Sequence, residues 1–338
     1  MLAVIPPPVP GTPYHLLAVD SSRPWWRSLA ITVAGGFLAV VAGLVVVCAV
    51  VVTGIATGRP AGRFQLPTFG DLGDSAWQLL VVGAVIPALA VAARAGQRRP
   101  AGTLASVCGR LRLPWLAVCL LVAIAAQLCY VGAETMMERD ATELGRVGWP
   151  GFLVAVPVLL ALVPLQVAGE EYLFRGWLLQ GLSGLGRGPW IALVGSALLF
   201  AGVHGLGTVW GFLDLVAFAL ITGWLAVRTG GLEAAIAIHL ATNLVAMIWQ
   251  AATGNLASTE TAADGSWRMT LVDVATVALY AAVISRLADR RGVAAVVPEP
   301  AARGYRRGGT GIRARSDATM TSPANSSAAS SANRSGSV

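Results

Sequence analysis

The sequence predicts an all-α protein, a polytopic transmembrane helical bundle of about eight spans with a disordered C-terminal tail. Three observations lead there. The 338 residues are 56% hydrophobic and 12% charged, with a mean hydropathy of +0.69, far too apolar for a water-soluble domain of that length. Charge-free stretches recur at about the 20 residues a helix needs to cross the hydrocarbon core. Large apolar residues almost vanish after Val297, where Ser, Ala, Gly and Arg leave too little surface to bury.

Marked between charges, the candidate spans run approximately 29–53, 76–93, 114–132, 150–183, 189–206, 209–227, 232–252 and 269–285. The fourth is long, with Pro157, Pro164 and Gly169 as candidate kink points. The eighth is short and carries Asp273 near its start. The first 27 residues hold Pro6-Pro7-Pro8 and Asp20 but no basic stretch before Arg23, so they read as an irregular cytosolic leader rather than a cleavable signal. The cysteines, Cys48, Cys108, Cys119 and Cys129, have neither CxxC nor metal-type spacing and read as core thiols in or beside apolar spans.

All 24 basic residues are arginines, a usage that suggests GC-rich bacterial coding more than any partner, and no nucleic-acid partner is read from the +7 net charge. Short cytoplasmic loops retain arginine. The loop between the second and third spans holds Arg94, Arg98, Arg99, Arg110 and Arg112 with no acidic residue, so it is expected in the cytoplasm. Arg23, Arg27, Arg187, Arg228, Arg286, Arg290 and Arg291 then fall on the same side. The opposite loops are balanced or acidic: Asp71 and Asp74 face Arg59 and Arg63, and Glu134, Glu138, Asp140 and Glu143 face Arg139 and Arg146. The expectation is a multi-pass protein of the bacterial plasma membrane with both termini cytoplasmic. Trp25, Trp26, Trp149, Trp210 and Trp267 near span ends suit an interfacial belt.

Charges inside a membrane helix cost from about 2.5 kcal/mol upward, so those that persist usually face a protein interior and act there. Three clusters stand out. Gly169-Glu170-Glu171-Tyr172-Leu173-Phe174-Arg175-Gly176 places Glu171 and Arg175 on one helix face as an i,i+4 pair and turns Glu170 about 100° away. Phe200 precedes His204 by one turn, and His239 and Asn243 share a face of the seventh span. Taken singly, a buried His or Asn is most simply a helix-packing residue, and the Glu pair a structural ion pair. Together they supply a base, oxyanion donors and an ion pair. Depth counted at about 1.5 Å per residue lets them meet in the cytoplasmic half or near the midplane, with water arriving from the cytosol. Asp214 is expected to hydrate or pair near the outer end of its span, and Glu233 and Asp273 to sit at helix N-termini where the dipole favours a carboxylate.

In that order, Glu-Glu-x-x-x-Arg, Phe-x-x-x-His and His-x-x-x-Asn resemble the CPBP family, which holds the type II CAAX prenyl endopeptidases and bacterial relatives once grouped as bacteriocin-immunity proteins. The resemblance covers about 150–250 and extends to Phe174-Arg175-Gly176-Trp177-Leu178. It divides the chain into the leader 1–27, N-terminal helices 28–148, a catalytic core 149–252, an outer loop and last helix 253–291, and a basic tail 292–338.

The resemblance implies an intramembrane endopeptidase acting on membrane-anchored peptide or protein substrates. Glu170 would activate water with His204 beside it, Glu171 and Arg175 would hold the architecture, His239 and Asn243 would stabilise the oxyanion, and Phe200 would shape the substrate pocket. Processing of prenylated proteins is not predicted for such a genome. No cofactor is favoured. Zinc, held by Glu170, His204 and His239, is the alternative, disfavoured because there is no His-Glu-x-x-His helix and because using all three as ligands removes the base. A non-catalytic membrane scaffold or immunity-type protein is the competing function. A proton-relay transporter is set aside for want of repeat symmetry.

Overall fold

The computed structural model describes residues 5–137, 148–186, 188–256 and 262–299. Arg187, Glu138, Arg139, Asp140, Glu143 and Arg146, on which the charge reading drew, and the tail from 300 onward lie outside the described residues. Among the described residues eight helices of ten residues or more follow one another: α1 (Trp25–Ala56), α2 (Asp71–Ala95), α3 (Leu113–Met137), α4 (Gly148–Leu185), α5 (Trp190–Val203), α6 (Val209–Thr229), α7 (Glu233–Thr253) and α8 (Trp267–Arg291). There is no named strand among the described residues.

Seven of these helices are long and apolar enough to cross a membrane, whereas α5 has only 14 residues. That is about 21 Å of rise against a hydrocarbon core of about 30 Å. The reason lies just past its end. Gly205 and Gly207 adopt φ +98° and +44°, which no helix continues, and the chain goes on without helical structure. Thr208 then donates its N–H to the Ala263 carbonyl at 2.9 Å and its hydroxyl to the Gly265 carbonyl at 2.6 Å, which sets the start of α6 beside the approach to α8.

The bundle is apolar on its outside as well as its inside. Phe37 and Ile55 of α1 stand exposed, a face that suits lipid rather than water. With hydrocarbon on both sides of the comparison, helix contacts depend on close packing. Gly35, Ala39 and Gly43 are buried at four-residue spacing on α1. A Cβ on Gly35 would fall 2.0 Å from the Trp177 ring, whose Nε1 donates to the Thr32 carbonyl at 2.9 Å. α2 packs on α1 and α4, α5 and α8 pack on α6, and α7 lies among α3, α4 and α6. Residues 233–239 of α7 are all buried, so the functional segment of that helix sits at the centre.

One end of the bundle is closed by interlocking loops. Val107 N–H donates to the Gly230 carbonyl and Leu232 N–H to the Ala105 carbonyl, each at 2.9 Å, joining the 94–112 loop to the turn between α6 and α7. Arg112 grips Glu233 through Nε and Nη2 at 2.9 and 2.7 Å and donates Nη1 to the Ala294 carbonyl. Several expectations change here. Glu233 is fully buried in this ion pair instead of merely facing a helix dipole. Of the five arginines in the loop, Arg94, Arg98 and Arg110 remain exposed, while Arg99 is buried and Arg112 half-buried. Of the residues assigned to the tail, Val297 is buried and exchanges backbone hydrogen bonds with Gly11 and Thr12, and the leader itself buries Tyr14. Asp273 lies in the second turn of α8 and is buried. Of the cysteines only Cys119 is in the core; Cys48, Cys108 and Cys129 are exposed.

Candidate active site

The site forms where α4 changes its winding. The helix runs regularly to Glu171 and then widens into a seven-residue π-helical stretch, Tyr172–Leu178. Such insertions re-aim side chains and recur at functional sites. Just before it, Gly169 presses on α2: a Cβ there would lie 2.4 Å from the Val82 carbonyl oxygen. Only glycine permits that approach, and it fixes the depth of Glu170 and Glu171 against their neighbours.

Glu171 is fully buried and is shared by two partners. Arg175 Nη1 lies 3.0 Å from its Oε1 as the predicted i,i+4 ion pair, and His239 Nδ1 lies 2.8 Å from the same oxygen. Arg175 is held in turn by donating Nη2 to Thr222 Oγ1 at 2.8 Å and by stacking 4.3 Å from the Phe200 ring centre. With Nδ1 of His239 committed to Glu171, its Nε2 faces Glu170 Oε2 at 3.5 Å, an ion-pair distance rather than a tight hydrogen bond. The ring is enclosed by Phe218 and Phe200, with centres 5.4 and 6.0 Å away.

Glu170 is itself buried, and Gln166, one turn earlier on α4, donates Nε2 to its Oε1 at 2.5 Å. The Gln166 carbonyl oxygen accepts from Asn243 Nδ2 at 3.1 Å. Asn243 therefore fixes which way the Gln166 amide points, and that orientation presents N–H to the carboxylate. Oε2 of Glu170 has no hydrogen-bond partner among the described residues.

His204 stands apart from this network. Its Nδ1 lies 2.8 Å from the Phe200 carbonyl oxygen, which can only accept, so Nδ1 carries the proton and Nε2 keeps a lone pair. Its ring packs on Phe200 at 4.6 Å. Among the described residues it makes no hydrogen bond to Glu170 or His239. The structure thus joins Glu170, Glu171, Arg175, His239 and Asn243 into one connected cluster and links His204 to it through the Phe200 ring. Sequence reasoning missed Gln166, Thr222 and Phe218. Gln166 had a legible signal: it is an uncharged polar residue four before Glu170 in an otherwise apolar run.

Residues 151–245 match the family model described as type II CAAX prenyl endopeptidase Rce1-like. This stretch is similar to that family. It contains every member of the cluster, from Gln166 to Asn243. The uncharacterized protein YyaK of Bacillus subtilis strain 168 is 27% identical over 141 residues, which cover 40% of this chain and 46% of YyaK. The chain thus spans less than half of that relative's length. No solved structure matches the chain. The apolar helices, together with the similarity to that family, indicate an integral membrane protein.

A cavity of about 440 Å³ begins at Gln166 and Asn243 and runs past Leu79 and Met247 to Phe64 and Asp71 in the α1–α2 region. Water was expected from the end bearing the 94–112 loop. The cavity leads the other way, because toward that loop α7 is buried without interruption from Glu233 to His239 and is sealed by the Arg112–Glu233 pair. As for a metal, no three His, Cys, Asp or Glu side chains come together as a ligand set among the described residues. His239 Nδ1 is engaged by Glu171, and His204 belongs to a separate contact.

Proposed function

We propose that the protein is an intramembrane endopeptidase that hydrolyses peptide bonds of membrane-associated substrates, with Glu170 as the base. The observation that carries this reading is the Glu170 carboxylate itself. It is buried in an apolar bundle, oriented through one oxygen by Gln166, and has its other oxygen unpartnered beside the His239 imidazole. A carboxylate held in this way is placed to take a proton from water as the water oxygen attacks a peptide carbonyl. Charge then develops on the carbonyl oxygen, and its stabilisation comes from the Asn243 amide N–H and from His239 as an imidazolium, whose Nδ1–H stays on Glu171 while its Nε2–H donates. Collapse breaks the C–N bond and returns the proton from Glu170 to the leaving amine, which leaves a new carboxylate and a new amino terminus.

The other residues take supporting roles. Glu171, between Arg175 and His239, sets the tautomer and aim of the imidazole. Phe200 separates His204 from His239 and shapes the pocket wall. His204 offers a free Nε2 one turn beyond Phe200 and assists the attacking water. Both termini are placed in the cytoplasm on the strength of the arginine distribution, and no prenylated substrate is assigned.

Zinc on Glu170, His204 and His239 is the competing chemistry, and the arrangement of donors favours activation without it. Elemental analysis of detergent-purified protein beside its His204→Ala variant decides between them. Stoichiometric zinc that is lost in the variant, with activity removed by a chelator and restored by zinc, would overturn the metal-free mechanism. Protease and scaffold separate on one assay, cleavage of a membrane-anchored reporter library by wild type and by Glu170→Ala. Cleavage by the first and not the second is expected, and no cleavage by either would leave the scaffold reading standing.

A further inference from the structure

The cavity that ends at Gln166 and Asn243 lies on the far side of the bundle from the arginine-rich loop, and its walls have a specific chemistry. Gln78 and Gln250 line it between the α1–α2 end and the floor, Leu79, Val82, Met247 and Leu256 supply apolar wall, and Asp71, Asp74 and Ser75 add polar groups at the α1–α2 end. Carboxamides both donate and accept, so a succession of them suits the alternating N–H and C=O of an extended peptide and discriminates little between its side chains. At about 440 Å³ the cavity is within the range of preformed ligand sites. It also reaches the reacting group through the protein's own hydrogen bonds: Asn243 is on its floor, Asn243 donates to Gln166, and Gln166 donates to Glu170.

We propose that this cavity is the substrate cleft, and that a membrane-anchored peptide enters it extended from the α1–α2 end, opposite the 94–112 loop, with its backbone held by Gln78, Gln250 and Asn243. The proposal rests on the reading of Glu170 as the base. It reverses the direction of access that the charge pattern alone suggests. A peptide arriving from the α1–α2 end meets Gln78 and Gln250 first and Asn243 last, one turn from His239. Gln166 then acts as a positioning residue, since its orientation is set by the cleft floor and it in turn orients the carboxylate.

Sidedness is measurable without any catalytic readout. In sealed vesicles of known orientation, a charged, membrane-impermeant methanethiosulfonate is applied to variants that each retain one cysteine. Native Cys108 marks the end with the arginine-rich loop, Ala61→Cys marks the α1–α2 loop, and Met247→Cys reports the cleft wall. Met247→Cys is expected to react only from the side that labels Ala61→Cys, and a peptide substrate is expected to slow that reaction. Reaction only from the Cys108 side, or reaction from the Ala61 side that no peptide slows, would overturn the proposal. If wild type cleaves nothing, the protease reading fails on that result, while the labelling pattern still decides the direction of access. Kinetics gives a second arm on an exposed residue. Gln78→Leu is expected to raise KM about fivefold with kcat little changed, as for loss of one hydrogen bond to bound peptide. An unchanged KM would remove Gln78 from the cleft.

Discussion

A carboxylate with no exposure, Glu171, is tolerable inside a membrane helix only because Arg175 and His239 share one of its oxygens. Removing one member of a buried ion pair costs about 3–5 kcal/mol, because the other is left uncompensated. Arg175→Ala is therefore expected to lower the yield of folded protein as well as its activity, measured as monodisperse material after detergent extraction. Catalytic loss without loss of yield is the expected mark of a different set. Asn243→Ala is expected to reduce cleavage by about a hundredfold or more at near-normal yield, as for a lost oxyanion donor, whereas His239→Ala, which takes a partner from buried Glu171, is expected to lower cleavage as much and yield as well. Asp214→Asn, away from the cluster, is expected to retain most activity. At this scale the charged and imidazole residues were legible, since any such group in an apolar run is conspicuous. Gln166 was visible as a polar residue but was passed over, because an uncharged amide in a span has a bland packing explanation until its two partners are seen. Glu233 was misjudged for the same reason: its position at a helix start explained it, and Arg112 lies 121 residues away.

Helices were easy to find and their endings were not. Charge-free length gave all eight segments, yet α5 stops at Val203 because of the backbone angles at Gly205 and Gly207, which hydropathy does not weigh. The π-helical stretch after Glu171 was equally invisible to a periodicity of 3.6, and so was the pressure of Gly169 on the Val82 carbonyl. That contact makes a test of how tightly α2 and α4 fix the site. A Cβ at Gly169 would lie 2.4 Å from a backbone oxygen, whereas at Gly36 or Gly132 it would meet nothing within 4 Å. Gly169→Ala is expected to lower the melting temperature of the purified protein by several degrees and to reduce cleavage, while Gly36→Ala and Gly132→Ala leave both unchanged. Equal behaviour of the three would mean that helix spacing at Glu170 does not depend on glycine.

Across the whole molecule, the arginine asymmetry and the packing of the two chain ends point the same way. Gly11 and Thr12 pair with Val297, and Arg112 joins α7 to Ala294, so the leader, the arginine-rich loop and residues 292–299 share one end of the bundle. Reporter fusions are expected to place that end in the cytoplasm, with fusions after Arg286 and within 94–112 giving the same sign. Opposite signs would show that the short α5 does not complete a crossing. What the sequence left hidden at this scale is the direction in which the site opens, because a cavity is built from residues of α2, α4 and α7 that are each unremarkable alone. The proposed chemistry turns on Glu170. Its most direct test is the single-turnover cleavage rate of purified, reconstituted protein, wild type beside Glu170→Gln, with melting temperatures recorded for both. Glutamine keeps the shape of the side chain and can still bond Gln166, but it cannot take a proton. The expected result is an unchanged melting temperature and a rate lower by about a hundredfold or more; near-normal cleavage by Glu170→Gln would contradict the assignment of Glu170 as the base.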